Sequence, residues 1–314
     1  YNKVQGPDDE PAESDTVGLG RTFPKKITGG KDVISPAFFT AFDNSPFAAE
    51  FLGEFVQRAI REEKLGRSAA TDMLCVSFSS VDAAGHTFGP DSHEVMDAVL
   101  RIDRVMASLL DCLEREVGLA NCVIVFTSDH GVSPLPGRVK LADMDAAAKQ
   151  ALDAAFGALG KGENWFTRDN LGYHVRAEAL AAKNRSAGEV AKGLKDALAP
   201  LPYVAEVYTR DELLATDATT GESTRILMRR SYRGASDRDV VFAFKPYFMS
   251  KAGSGSSHGL PYDYDTHVPQ LYFGQGVAKG VSRQEAVGID DIAPTLAKLL
   301  GVKAPAQSQG KKLL

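Results

Sequence analysis

The stretch CVIVFTSDHG (residues 122–131) places an uninterrupted apolar run directly before a polar turn that carries Asp129 and His130. A short apolar run bounded by turn residues is typical of a strand buried on both faces of a parallel sheet. We therefore predict a buried strand over residues 122–127, with an Asp/His pair immediately after it.

A second stretch repeats this arrangement earlier in the chain. Residues 73–79 read MLCVSFS, and the polar segment SVDAAGHTFGPD (80–91), interpreted as a loop, follows with Asp82 and His86. The carboxyl ends of parallel strands open onto one edge of a sheet, which is where ligands bind. The two Asp/His pairs are therefore expected to converge at that edge.

Helical spacing of apolar residues predicts the elements that separate these strands. One helix is expected to start at Ser45, an N-cap followed by Pro46, and to end before Gly66; a longer helix is expected over 92–117. The apolar faces predicted for the two helices comprise Phe47, Phe51, Leu52, Phe55, Val56 and Ile60, and Val95, Val99, Ile102, Val105, Met106, Leu109, Leu110 and Leu113.

Alternating strands and helices indicate an α/β fold with a mainly parallel sheet flanked by helices. Residues 1–142 form the first part of the core, of which 1–44 are rich in loops, and residues 258–314 form the second part. Residues 143–257 are interpreted as an inserted α/β subdomain that ends in a flexible GSGSS segment (253–257). Its predicted helices cover 145–159 and 186–198, and its strands 171–175, 203–208 and 240–245.

Composition restricts the function. The 314 residues carry 36 Lys plus Arg against 41 Asp plus Glu, so a formal net charge of -5 gives little reason to expect binding to a nucleic-acid polymer. No apolar run approaches the roughly 18 residues of a membrane-spanning helix. Cys75, Cys112 and Cys122 lie in apolar stretches without CxxC spacing, which favours buried free thiols.

Side chains that bind metals concentrate at the predicted sheet edge. Asp82, His86, Asp129 and His130 follow the two strands, and His258 lies where the chain returns to the sheet. Oxygen and imidazole ligands without thiolate suit a catalytic Zn²⁺, with Mg²⁺ or Mn²⁺ as alternatives. Five ligands are more than one open zinc site can use, so we predict a centre with two metal ions. Such a pair stabilises the attacking and the leaving oxygen of an in-line phosphoryl displacement.

The other histidines have simpler interpretations. His93 falls in the first turn of a helix and is expected at the surface. His174, within the predicted insertion, is expected to be structural or exposed. His267 follows His258 by nine residues and is an alternative third ligand.

Four motifs in order carry a resemblance to a known family. The chain from about Phe23 onward resembles the alkaline phosphatase superfamily, and is similar to bacterial periplasmic alkaline phosphatases related to nucleotide pyrophosphatase/phosphodiesterases. The motifs are SFSSVDAAGHTFGPDSHEVMDAVLRIDRVMASLLDCLE, VIVFTSDHGVSPLPG, SHGLPYDYDTHVPQLYFG and GIDDIAPTLAKLLG.

The resemblance implies a ligand set and a reaction. Asp82, His86 and His258 would hold one Zn²⁺, and Asp129 and His130 would hold the other. His267 would contact a metal ligand from outside or face the substrate. Hydrolysis of small phosphate monoesters in the periplasm or outside the cell is the implied function. Phosphodiesterase or nucleotide pyrophosphatase activity is the alternative, and sulfatase activity is disfavoured, because no cysteine here has the C-x-P-x-R context of that family.

One part of the family pattern is missing. Family members carry a Thr or Ser nucleophile at a helix start, after a strand that ends in a further metal-binding Asp. Thr16, Thr22, Thr28 and Thr40 lie in this part of the chain, but none of them follows a buried strand. No catalytic residue is therefore assigned in this chain, the nucleophile is expected upstream of Tyr1, and an inactive metal-binding fragment is the third interpretation.

Overall fold

A computed structural model describes residues 3, 6–8, 13–15, 17–134, 136–221, 223–234, 237–250 and 255–314. The chain divides into two compact units. The first comprises Tyr1–Val132, Ser254–Ser256 and His267–Leu314, and the second comprises Ser133–Gly253 and Ser257–Thr266.

Helices and strands alternate along the chain. The helices are α1 Pro36–Asp43, α2 Pro46–Glu62, α3 Ser80–Phe88, α4 His93–Glu116, α5 Leu141–Phe156, α6 Ala177–Lys183, α7 Ala187–Leu198, α8 Arg210–Leu214, α9 Thr224–Ser231, α10 Asp263–Thr266 and α11 Ile292–Leu299. The strands are β1 Val123–Thr127, β2 Gly137–Arg138, β3 Phe166–Arg168, β4 Gly172–Val175, β5 Val204–Thr209, β6 Val240–Phe244, β7 Phe248–Met249 and β8 Gln270–Gly274. Among the described residues, no helix is both long and apolar enough to cross a membrane.

The first unit packs helices beside a two-stranded sheet. Strand β8 pairs antiparallel with β1, in a register that sets Val123 opposite Gly274 and Thr127 opposite Gln270. Helices α2 and α4 share an apolar cluster that is removed from water, which stabilises their packing. Its buried members are Val56, Ile60, Val105, Leu109 and Cys112.

The second unit is built on a four-stranded antiparallel sheet in the order β3-β4-β6-β5. Its core includes the fully buried Trp165 and Tyr173, and apolar residues of α5 and α7 belong to the same cluster. Helix α7 begins with a capping box in which Ser186 and Glu189 satisfy each other's backbone N–H groups. The helices and strands predicted between residues 145 and 245 are all present, within a few residues of their predicted ends.

Strand directions differ from the mainly parallel sheet that the sequence predicts. Among the described strands, only β2 and β7 pair in parallel. The proposed domain boundaries at 142 and 257 stay a prediction, and the GSGSS segment lies partly outside the described residues.

The strand predicted over residues 73–79 is not formed. A strand needs a neighbour for its backbone N–H and C=O groups, and within the described residues no ladder reaches this segment. Met73, Leu74 and Val76 therefore remain exposed, Met73 at 70%, whereas Phe78 packs against the cluster shared by α2 and α4. Cys75 is also exposed, which corrects the expectation of a buried thiol, while Cys112 is buried and Cys122 is half-buried.

Two segments interpreted as loops contain helices. Residues 80–88 form α3, which ends where Gly89 adopts a φ of 95°. This conformation suits glycine and stops the helix. Within the loop-rich residues 1–44, Pro36–Asp43 forms α1 after Ser35 at its N-cap.

Helix α2 begins at Pro46 after the predicted N-cap Ser45. Fewer apolar residues of this helix are buried than predicted. The described neighbours cover Val56 and Ile60 but leave Phe51 and Phe55 exposed. Phe47 is also exposed, although the Arg101 guanidinium lies 5.1 Å from the centre of its ring.

Candidate metal centre

Helix α3 presents the first Asp/His pair. Asp82 and His86 are four residues apart, so they share one face of the helix. The Nε2 atom of His86 lies 3.4 Å from Oδ1 of Asp82, and both side chains remain partly open to water.

The turn after β1 presents the second pair. Strand β1 ends at Thr127, and the Ser128 hydroxyl donates a 2.5 Å hydrogen bond to the carbonyl of His130, which holds the turn closed. The Nε2 atom of His130 lies 3.6 Å from Oδ2 of Asp129 and 4.0 Å from Oδ1 of Asp82. The two Asp/His pairs therefore meet in the first unit, with Asp82 between the two imidazoles.

Hydrogen bonds to backbone carbonyls orient both rings. The Nδ1 atom of His86 is 2.9 Å from the Ser256 carbonyl oxygen, and that of His130 is 2.8 Å from the Gly131 carbonyl oxygen. A carbonyl can only accept, so each Nδ1 carries the proton and donates. In the neutral ring, Nε2 then holds a lone pair, and in both rings this atom faces the Asp82 carboxylate.

The donor set fits a bound metal ion. A lone pair that faces a carboxylate oxygen repels it unless a cation lies between them. Ligands about 2.0–2.1 Å from a tetrahedral Zn²⁺ are roughly 3.3 Å apart, close to the separation of the Asp82 and His86 atoms. Donation of Nδ1–H to a carbonyl is the usual outer support of a metal-binding histidine. The arrangement can therefore hold an ion through imidazole nitrogen and carboxylate oxygen.

A close backbone approach keeps the Ser256 carbonyl in place. Ser256 is fully buried, and Gly255 before it adopts a φ of 72°. A Cβ on Gly255 would lie 2.0 Å from the carbonyl oxygen of His86. Only glycine therefore lets this segment reach the end of α3.

His258 follows Ser256 by two residues and belongs to the second unit. The turn after it is held by Asp265, which is 97% buried and whose Oδ2 accepts hydrogen bonds from the backbone N–H groups of Gly259 and Leu260 at 2.9 and 2.7 Å.

The remaining histidines lie elsewhere. His93 is buried, which corrects the expected surface position. Its Nδ1 lies 3.5 Å from Oδ1 of Asp8 in the N-terminal segment. The apolar periodicity of α4 could not indicate that this segment covers the start of the helix. His174 lies on β4 with its ring partly exposed, 3.8 Å from Asp169. His267 is exposed, and among the described residues its ring makes no hydrogen bond or ion pair with the other candidates.

A second group of acidic side chains combines Asp8, Glu13 and Glu94, whose oxygens lie within 4.8 Å of one another. The Lys25 ammonium is 2.5 Å from Glu94 and buried with it. A buried carboxylate needs such a cation, so Glu94 and Lys25 form a buried ion pair within this group.

No sequence pattern indicated Ser128, Gly255 or Ser256 as parts of the site. They act through backbone groups or through close approach, and such roles have no side-chain signature. Gly255, one of the two glycines in the GSGSS segment, is the available signal, since glycine tolerates both a positive φ and close packing.

Comparison with known proteins defines the class. The family model "Type I phosphodiesterase / nucleotide pyrophosphatase" matches residues 18–233, more than half of the chain. The chain therefore belongs to this family. The alkaline phosphatases that it resembles are phosphoric ester hydrolases.

Particular relatives are bacterial alkaline phosphatases. Alkaline phosphatase PafA of Elizabethkingia meningoseptica is 27% identical over 86% of this chain and 50% of its own length. Alkaline phosphatase PhoV of Synechococcus elongatus is 28% identical over 95% of this chain and 56% of its own length. The crystal structure of wild-type PafA superposes with a TM-score of 0.85 at 26% identity, covering 98% of this chain and 59% of that one.

These likenesses confirm the alkaline phosphatase-like α/β fold and the relation to that superfamily. The chain spans about half the length of the curated relatives it matches.

Proposed function

We propose that the enzyme containing this chain is a zinc-dependent hydrolase of small phosphate monoesters. The observation that carries the proposal is the orientation of the His86 and His130 rings, whose Nε2 atoms both face Oδ1 of Asp82. The alkaline phosphatases among the relatives support the monoester substrate.

The proposed ligands form two sets. Asp82, His86 and His258 hold one Zn²⁺, and Asp129 and His130 hold the other. For the first set, the helical pair Asp82 and His86 supplies two donors at 3.4 Å, and the buried Ser256 carbonyl fixes the imidazole. For the second set, the turn closed by Ser128 keeps His130 beside Asp129. His267 is proposed to face the substrate or the outer side of the site.

When bound, a pair of such ions supplies Lewis acidity at both the attacking and the leaving oxygen of a phosphoryl displacement. The side chains of this chain position that chemistry: Asp82 offers negative charge to both pairs, and the two Nδ1–H bonds keep the rings from turning away. The nucleophilic Thr or Ser is proposed to lie in the part of the relatives' length that this chain does not cover.

Phosphodiesterase or nucleotide pyrophosphatase activity is the second candidate. The description of the matching family model favours it, since residues 18–233 fall within that model. A chain that binds metal without catalysis is the third. We further propose a periplasmic or secreted location, on the strength of the family resemblance.

The decisive experiment separates metal binding from substrate choice. The 314-residue chain is freed of metal with a chelator, titrated with Zn²⁺, Mg²⁺ and Mn²⁺, and its bound metal is counted by atomic emission. In parallel, the protein translated from the complete reading frame is assayed on p-nitrophenyl phosphate and on bis-p-nitrophenyl phosphate.

Two zinc ions per complete enzyme with faster monoester hydrolysis is the expected result. Preference for the diester would establish the second candidate instead. If the complete protein bound zinc but hydrolysed neither ester, the third candidate, metal binding without catalysis, would be supported. Failure of every metal to bind either protein would refute the centre itself.

A further inference from the structure

Helix α9 and the turn after it concentrate positive charge in the second unit. Residues 224–233 read TRILMRRSYR, with four arginines and no acidic residue, in a chain whose net charge is -5. We call Arg225, Arg229, Arg230 and Arg233 the arginine surface. Arg225, Arg230 and Arg233 are exposed, and Arg229 is half-buried.

Neutral oxygens hold three of the four guanidinium groups of this surface. Arg225 donates from Nε to the Thr216 hydroxyl at 2.7 Å and from Nη2 to the Glu212 carbonyl at 2.9 Å. Arg230 donates from Nε to the Ala218 carbonyl at 3.0 Å. Arg229 donates from Nη1 to the Tyr232 carbonyl at 3.3 Å. These bonds fix the groups in space without cancelling their charge.

Nearby carboxylates are already engaged. Glu212 pairs with Lys195, and Asp237 pairs with Arg238. In the part of the chain that the structure describes, no carboxylate lies within 4.0 Å of the side-chain nitrogens of the arginine surface. The surface therefore keeps a local charge that an anionic partner can neutralise.

The shape and surroundings of the surface select the partner. Guanidinium groups bind phosphate through paired N–H donors. The aromatic rings beside them, Tyr208 and Tyr232, are buried, so bases of a nucleic acid would find no exposed ring to stack on. Leu214, at the end of helix α8, is 45% exposed and adds an apolar side chain of the kind that enters a lipid headgroup layer.

We infer that the arginine surface docks this unit onto a membrane surface of anionic phospholipid. The contact is peripheral and electrostatic, with no helix crossing the bilayer. Juxtamembrane basic residues each strengthen binding to anionic lipid by roughly fivefold. The contact is also expected to weaken as salt rises, because exposed charges are screened.

Vesicle co-sedimentation tests the inference. The full chain is mixed with phosphatidylglycerol-containing vesicles or with phosphatidylcholine vesicles at low and physiological salt. The R230Q/R233Q variant removes two exposed charges of the surface. The matched control R176Q/R185Q removes two charges from the same unit, at positions where Glu178 and Glu189 already pair with the arginines. Circular dichroism verifies that both variants fold.

Binding to the anionic vesicles alone, weakened about 25-fold by R230Q/R233Q and little by the control, is the expected result. Equal loss in both variants would overturn the inference, because net charge rather than the surface would then govern binding. Equal binding to both vesicle types, or to neither, would also overturn it. So would release from vesicles by single-stranded DNA or millimolar inorganic phosphate at constant ionic strength, which would identify a different anionic ligand.

Discussion

The carboxylate of Asp82 lies between two imidazoles, with Oδ1 3.4 Å from Nε2 of His86 and 4.0 Å from Nε2 of His130. His86 is on the same helix, whereas His130 arrives from the turn after β1. Asp129 lies 3.6 Å from His130, its one ion-pair partner among the described residues, and is 87% exposed. Asp82 is therefore the residue that joins the two proposed ligand sets.

Replacing Asp82 is expected to impair both proposed sets at once. Asp82→Ala should lower zinc affinity by more than the 10- to 100-fold typical of losing an outer partner of a metal ligand. Asp129→Ala should affect one zinc only. Bound zinc per chain, counted after dialysis at a series of free zinc concentrations, measures both.

His174→Ala is the control, since that histidine lies on β4 beside Asp169 and is not a proposed ligand. It should bind as much zinc as the parent chain. Unchanged zinc content in Asp82→Ala would refute the central place of this carboxylate.

Gly255 is expected to be intolerant of any side chain. Gly255→Ala adds a Cβ that would lie 2.0 Å from the His86 carbonyl oxygen, so the segment must move and carry the Ser256 carbonyl away from the His86 ring. Zinc affinity should fall along with the melting temperature.

Gly280→Ala is the control that separates the steric contact with His86 from the strain of a side chain at a positive φ. Gly280 has a φ of 69°, close to the 72° of Gly255, but nothing lies within 4 Å of its added Cβ. Its variant should bear the strain of a positive φ, commonly about 1 kcal/mol or more, and keep its zinc. Equal zinc loss in both variants would contradict the proposed support of His86.

His93→Ala is expected to destabilise the first unit. His93 is 4% exposed and lies beside Asp8, so the substitution leaves a cavity and removes a polar partner. A loss of about 1–3 kcal/mol in the free energy of unfolding follows, measured by urea denaturation. The exposed His267→Ala should change that free energy by less than about 0.5 kcal/mol. The reverse order would show that the burial of His93 contributes nothing.

Sequence periodicity predicted three of the four strands of the antiparallel sheet of the second unit, and two of the helices in that unit. The strands at 172–175, 204–209 and 240–244 pair within one sheet, and α7 carries its own capping box, so the pattern and the structure agree. Residues 73–79 show the limit of such patterns. An apolar run indicates only that a segment can be buried. Whether it forms a strand depends on a neighbouring strand to pair with, which the local pattern does not reveal.

The candidate site was predictable in its side chains but not in its supports. Asp82, His86, Asp129 and His130 are residue types with metal chemistry, and their positions after apolar runs indicated a shared location. The helix at 80–88 was missed because a stretch with small and polar residues resembles a loop. The Ser256 carbonyl could not be found, since every residue other than proline offers the same backbone groups.

The turn after His258 is expected to depend on Asp265. Asp265→Ala removes the buried carboxylate that accepts hydrogen bonds from the backbone N–H groups of Gly259 and Leu260, and a hydrogen bond to a charged group contributes about 1.5–3 kcal/mol. A lower urea midpoint and a weaker zinc affinity should appear together, because His258 begins this turn. Asp263→Ala, exposed on the same short helix, is the control and should alter neither value. Instability with unchanged zinc affinity would argue against His258 as a ligand.

Acid is expected to weaken the second unit through Asp169. Burial alone would raise the pKa of this carboxyl, but hydrogen bonds from the Arg238 guanidinium and the backbone N–H groups of Leu171 and Gly172 outweigh it and lower the pKa. A group whose pKa is depressed by folding contributes stability above its unfolded pKa, about 3.9 for Asp, and loses it as pH falls through the folded value. Asp169→Asn should therefore be less stable than the parent at pH 7, and the difference should shrink below about pH 4.

Urea denaturation across pH 2–8 measures this difference in the free energy of unfolding. Asp196→Asn, at an exposed ion pair, is the control and should differ little from the parent. A difference that grows toward acid would reverse the sign and refute the role given to the Arg238 contact.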